Sequence, residues 1–124
     1  MLNQTFSNLE HARVLTKAAF RASDRLGIDQ SYFSQLFEID AARMLFLSSA
    51  QDVFDFEQAE WGHAIALVAC YSALCILLGD DDPIKTSAWM KSYHLDLGKA
   101  PIQLLMAPNG IEQLEQFLLN FRGV

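Results

Sequence analysis

Basic charge, cysteine and strand-like alternation are all scarce in this chain, and each scarcity narrows what it can be. Nine Lys and Arg stand against fifteen Asp and Glu, a net charge of -6, so the field of the whole protein repels phosphate and opposes a general affinity for nucleic acid. The one basic stripe, Arg13, Lys17, Arg21 and Arg25 at every fourth position, reads as a solvated helix face. The two cysteines, Cys70 and Cys75, are five apart, which on a helix separates them by about 140°. They do not face each other, a disulfide or shared metal is not expected, and buried free thiols fit a reducing compartment. No basic region followed by an apolar core marks Met1 to Asn8, so no secretory signal is expected and the cytoplasm is the expected location.

An apolar run of membrane-spanning length is also missing from this reading. Ala64 to Leu78 is apolar but short of the ~20 residues a span requires, and it sits between Asp55, Glu57 and Glu60 on one side and Asp80, Asp81 and Asp82 on the other. A central core helix, apolar on nearly every side because neighbours surround it, is expected in place of a membrane segment. No stretch alternates with a period of two, so no sheet is assigned.

What is present is ample apolar material. With 52% hydrophobic residues and nine phenylalanines in 124 positions, the chain buries enough surface to fold around one main core. Ser7 and Glu10 form a capping-box pattern, and Ala12, Leu15, Ala19, Ala22 and Leu26 recur at helical spacing until Gly27. Asp29 and Asp40 are expected to cap two short helices, at 30–37 and 41–47, joined by Glu38 and Ile39. The long helix is predicted at 56–78, and Asp82-Pro83 opens another to about Tyr93. Pro101 starts a short helix through Met106, and Asn109 with Glu112 caps a last one whose stripe is Ile111, Leu114, Phe117, Leu118 and Phe121. The fold class is therefore all-α with seven helices.

Catalytic signatures do not appear. His11, His63 and His94 fall on separate segments without HExxH pairing, and GxxxxGK[ST], GxGxxG and GxSxG are all missing. Asp80, Asp81 and Asp82 read as a cap with favourable charge at a helix N-terminus. No catalytic residue, cofactor or metal is assigned, and the chain is expected to act by binding a protein.

The second and third helices have the length and order of a helix-turn-helix. Ser34 is the small residue within the first of them, Ile39 the apolar turn residue and Asp40 the cap, while Glu38 stands where glycine is frequent. Gln30 and Arg43 are the candidate DNA contacts. After Arg43 the reading helix continues Met44, Leu45, Phe46 and Leu47, which are core-type residues. Both a working reader and a repurposed one remain open, and DNA binding by the isolated chain is expected to be weak.

The C-terminal half carries a more specific pattern: Leu78-Gly79-Asp80, Trp89-Met90, Leu97-Gly98-Lys99-Ala100-Pro101, Leu104-Leu105, Gly110 and Phe121-Arg122-Gly123. Over roughly 61–124 this resembles the toxin-binding domain of the Xre/MbcA/ParS antitoxin family, with the helix-turn-helix-like segment ahead of it in the order that family uses. Lys99 replaces the common second glycine, and Tyr93-His94 replaces a frequent Pro-Asn pair.

The resemblance implies a helix-turn-helix-like N-terminal region over 1–50, with a degenerate form, its reading helix apolar, as one of the two open readings, followed by a small helical toxin-binding domain over 51–124. It further implies a homo-oligomeric antitoxin of a type II toxin-antitoxin system that neutralises a RES-domain toxin. The NAD consumption would belong to that toxin, and autoregulatory binding to operator DNA would be an added role. Lys99, Phe121, Arg122, Gly123 and Val124 are the toxin-binding residues it implies, with the C-terminal end near the toxin's active-site entrance. The competing reading is a helix-turn-helix transcriptional regulator without a toxin partner.

Overall fold

The computed structural model describes the backbone of residues 2–122 and the side chains of residues 8–120. Among the described residues seven helices follow one another: α1 (Leu2–Arg25), α2 (Gln30–Phe37), α3 (Ala41–Ser48), α4 (Ala59–Leu78), α5 (Pro83–Lys91), α6 (Pro101–Leu104) and α7 (Gly110–Arg122). Among the described residues there is no strand, only an isolated bridge between His94 and Lys99. The all-α expectation holds.

Local chemistry sets several boundaries as expected. Asp29 accepts a hydrogen bond from the Tyr32 N–H at 2.9 Å and Asp40 from the Arg43 N–H at 2.8 Å, so both short helices start at side-chain caps. Asp82 accepts from the Ile84 N–H at 3.0 Å, with Pro83 in the first turn of α5.

Other boundaries shift for reasons visible in the hydrogen bonds. Because α1 already runs from Leu2, Ser7 and Glu10 lie inside a helix and do not cap one. The long helix starts at Ala59, three residues later than expected. Asp55 Oδ1 accepts from the Glu57 N–H at 2.9 Å, an Asx-type turn that competes with helix. Ser92 takes an extended conformation and ends α5 before Tyr93. Asn109 has φ +56, in the left-handed region, and the Glu112 carboxylate reaches His63 instead of the backbone at residue 109. The expected capping box at α7 therefore does not form.

One core gathers all of this. Leu26, Leu67, Leu74 and Leu114 are 0% exposed, and the buried cluster runs continuously from Ala19 to Leu118, across position 50/51. Helix α4 packs most extensively on α7 and next on α1. Trp61, Tyr71, Leu78 and Trp89 are half-buried against the same cluster, joining Leu67 and Leu74 as expected. An aromatic ladder ties α1, α2 and the segment before α4 together: Phe20 on Phe33 at 4.5 Å, Phe33 on Phe37 at 4.5 Å, and Phe37 on Phe54 at 4.7 Å between ring centroids. The Phe54 N–H donates to the buried Thr16 hydroxyl at 3.0 Å, which fixes that segment to α1. Cys70 is buried and Cys75 half-buried, both as free thiols.

At 20 residues, α4 is long and apolar enough to cross a membrane. Counting from Ala64 understated it. Length does not separate the two environments here, but seven of its residues, from Glu60 to Leu74, are buried inside this fold.

Candidate functional site

The helix-turn-helix-like pair comes first, because its candidate DNA contacts meet different fates. Gln30 is exposed in the first turn of α2. Arg43 is engaged inside the molecule. Its Nε donates to Asp52 Oδ2 at 3.1 Å, Nη1 to Glu60 Oε1, and Nη2 to Glu60 Oε2 at 2.6 Å and to the Val53 carbonyl at 3.3 Å. Glu60 also accepts from the Asp55 N–H at 2.5 Å and is only 7% exposed. The hydrogen bonds to Glu60, above all, push the already basic guanidinium further up, so the charge is permanent and its partners are internal. Arg43 is a strut joining α3 to the start of α4, with these donors directed to internal partners.

The outer face of α3 shows Leu45 and Phe46, 65% and 48% exposed. Base-edge readout needs hydrogen-bonding groups at such positions, and these side chains have none.

This strut is testable. Glu60→Ala removes the carboxylate that serves both Arg43 and the Asp55 N–H, and a buried partner loss costs ~3–5 kcal/mol. Arg43 keeps 31% of its side chain exposed, so solvent screening lowers the expected loss to ~2 kcal/mol. Urea denaturation measures it. A change under ~0.5 kcal/mol, the scale of an ordinary surface substitution, would contradict the strut.

In the C-terminal half, the residues that carry the family-like pattern converge on one loop and one close contact. After α5 the chain turns through Tyr93 to Lys99. The His94 N–H donates to the Lys99 carbonyl at 3.2 Å, and the Gly98 N–H donates back to the His94 carbonyl at 2.9 Å. Gly98 sits at φ +71, where a Cβ is unfavourable although the space is open. The His94 ring lies 4.5 Å from that of Trp89. A braced turn results, with Leu95 84% and Tyr93 66% exposed at its tip. Lys99 is half-buried beside it and, among the described residues, has no ion pair.

The loop then enters α6 at Pro101, where Gln103 Oε1 accepts from the Ala100 N–H at 3.1 Å. From α6 the chain turns into α7 at Gly110, whose position leaves no room for a side chain: a Cβ there would lie 1.9 Å from the Leu104 carbonyl oxygen. Phe121, Arg122, Gly123 and Val124, the expected toxin contacts at the end, lie outside the residues whose side chains are described.

Beside the turn into α7 is an open cleft of about 480 Å³, lined in part by Glu38, His63, Met106, Asn109 and Glu112. His63 Nδ1 lies 2.7 Å from Glu112 Oε1, linking α4 to α7, while the buried Glu112 Oε2 has no partner. Sequence reasoning missed this link and the Arg43–Glu60 pair, since both join residues far apart in the chain. The lone acid opening the apolar helix was the available signal for Glu60. Among the described residues no three His, Cys, Asp or Glu side chains are grouped to hold a metal ion. Burial, with the nearby charges of Glu115 and Glu112, drives the Cys70 thiol well above its ordinary range, which keeps it protonated and unreactive.

No protein-family model matches the chain, and no curated protein matches it.

Proposed function

We propose that this chain is the antitoxin of a type II toxin-antitoxin pair, and that it neutralises a RES-domain, NAD-consuming toxin through its C-terminal region. The observation that carries the reading is the braced turn at 93–99, which holds Tyr93 and Leu95 in solvent. A rigid apolar tip contributes contact area at little ordering cost, as a partner-binding element should. Gly98, Pro101 and Gly110, which carry the resemblance, each have a geometric task around it. Lys99 beside the turn, together with Phe121 to Val124, completes the proposed toxin-facing set. The alternative of a regulator acting only on DNA finds less support, because Arg43 is occupied internally and α3 presents Leu45 and Phe46. Operator binding would then depend on several copies acting together.

Co-expression with a RES-domain toxin encoded beside this chain tests the proposal, with cellular NAD and growth as readouts. The full chain is expected to preserve both. Deleting Arg122 to Val124 is expected to abolish protection, and Leu95→Asp to weaken the complex at least about tenfold by placing a charge in an apolar contact. Unchanged neutralisation by both variants would move the interface elsewhere. Failure of the full chain to bind any neighbouring RES-domain protein would overturn the proposal.

A further inference from the structure

Between α1 and the segment that joins α3 to α4 lies a cavity of about 390 Å³, open to solvent on one side. Leu47, 2% exposed, forms its floor, half-buried Phe20 and Val53 form walls, and exposed Ala50 adds a methyl group at the rim. Arg13 and Lys17, both exposed, stand on the α1 side of that rim. On α1 the two cations and Phe20 fall within an arc of about 60°, so the charges lie directly beside the apolar opening.

Neither cation has a counterpart within the fold. Among the described residues neither Arg13 nor Lys17 takes part in an ion pair. They are four residues apart, with Arg21 a further four along, and like charges at that spacing destabilise a helix. The chain holds fifteen acids to nine bases, yet the one acid on the cavity wall is engaged elsewhere. Asp52 Oδ2 accepts from Arg43 Nε at 3.1 Å, and its Oδ1 accepts from the Val53 N–H at 2.8 Å. An anion from outside is the missing partner.

Ala50 gives an independent reason to expect an apolar body behind that anion. It follows the C-cap of α3 at φ +64, a left-handed position that glycine adopts at least cost. The Ala50 N–H donates to the Leu47 carbonyl at 3.2 Å and the Gln51 N–H to the Phe46 carbonyl at 2.8 Å. Glycine would make the same backbone bonds. What alanine adds is the methyl group on the cavity rim.

We propose that this cavity binds a small amphipathic carboxylate, a single acyl chain of medium length whose body lies on Phe20, Leu47, Ala50 and Val53 and whose carboxylate sits between Arg13 and Lys17. Arginine meets a carboxylate with two parallel N–H donors, and lysine adds a point charge. The volume is at the lower end of the ~300–1,000 Å³ usual for small-molecule pockets, which suits a chain on the order of ten carbons and is too small for a two-chain lipid. Nucleic acid fits poorly, because the net charge of -6 repels it and an apolar wall offers a phosphate nothing. Apolar burial and the charge pairing, less the cost of ordering a flexible chain, place the expected dissociation constant on the order of tens of micromolar. None of this rests on the antitoxin reading.

Decanoate, kept below its micelle concentration, is the probe, with decanol as its uncharged counterpart. Titrated into the isotope-labelled full chain, decanoate is expected to fill one saturable site, shifting the amide signals of Leu47, Ala50 and Val53 and leaving those of 93–112 in place. The melting temperature should rise with decanoate, since the ligand binds the folded chain. Arg13→Gln combined with Lys17→Gln changes two exposed side chains, and it should weaken decanoate at least about tenfold while leaving decanol unchanged. Ala50→Gly should raise the melting temperature of the free chain and yet weaken both ligands, a split that a purely structural role for Ala50 would not produce. Absence of saturable binding, signal shifts confined to another region, or equal weakening of decanoate and decanol by the double glutamine variant would overturn the proposal. So would binding to anionic vesicles through Arg13 and Lys17 that decanoate does not compete for, which would assign the two cations to a membrane surface.

Discussion

Leu74→Ala is expected to destabilise the protein by ~2–5 kcal/mol. The side chain is 0% exposed, on the face of α4 that meets the rest of the core, so truncation removes its transfer free energy and leaves a cavity. The nearest buried α4 residues, Cys70 and Ala73, are small, which limits how far the helix's own side chains can fill the space. The upper half of the range is expected. Urea denaturation followed by far-ultraviolet circular dichroism measures it, and a loss under ~1 kcal/mol would mean that the core is not assembled around α4.

The second large effect is expected at Gly110. A methyl group there meets the Leu104 carbonyl oxygen at 1.9 Å, its carbon at 2.8 Å and Leu105 Cα at 3.1 Å, all backbone. No rotamer change relieves such a contact. The turn between α6 and α7 has to open, so Gly110→Ala is expected to cost at least about 3 kcal/mol, the upper part of the range for overpacking. Gly98→Ala is the informative contrast: space is open there and only φ +71 is at stake, so ~1–2 kcal/mol is expected. Thermal melts of the two variants side by side check the order. Equal losses would show that the close approach at Gly110 is relieved cheaply.

These two positions illustrate what could be read from the chain. Gly110 and Gly98 stood out in a pattern of residues, yet the pattern gave no reason for either, because the reason at Gly110 is a carbonyl six residues away. Side-chain caps at Asp29, Asp40 and Asp82 were legible, since donor and acceptor lie within three residues of each other. Asn109 and Glu112 had the same local spacing and misled, because His63, 49 positions earlier in the chain, takes the carboxylate. Arg43 also has a partner that its local sequence does not show. Its position on a helix suggested an outward cation, while Glu60, 17 residues on, holds it inward. The apolar character of α4 announced a core helix correctly, but composition could not reveal that one of its faces would be left open, with Ile65 49% and Ile76 62% exposed.

The continuity of the core bears on how the gene could be cut. Position 50/51 looks like a seam in the sequence, yet α1 lies against α4 and the ladder from Phe20 to Phe54 crosses it. A fragment starting there would keep α4 against α7 but lose the side of the core that α1 covers, and the fragment ending there would keep that covering surface without its counterpart. Expressed apart, the two pieces are expected to behave like the halves of a split reporter, each exposing apolar surface that the other covers. Any fusion or tag inserted at that seam has to leave both halves free to find each other.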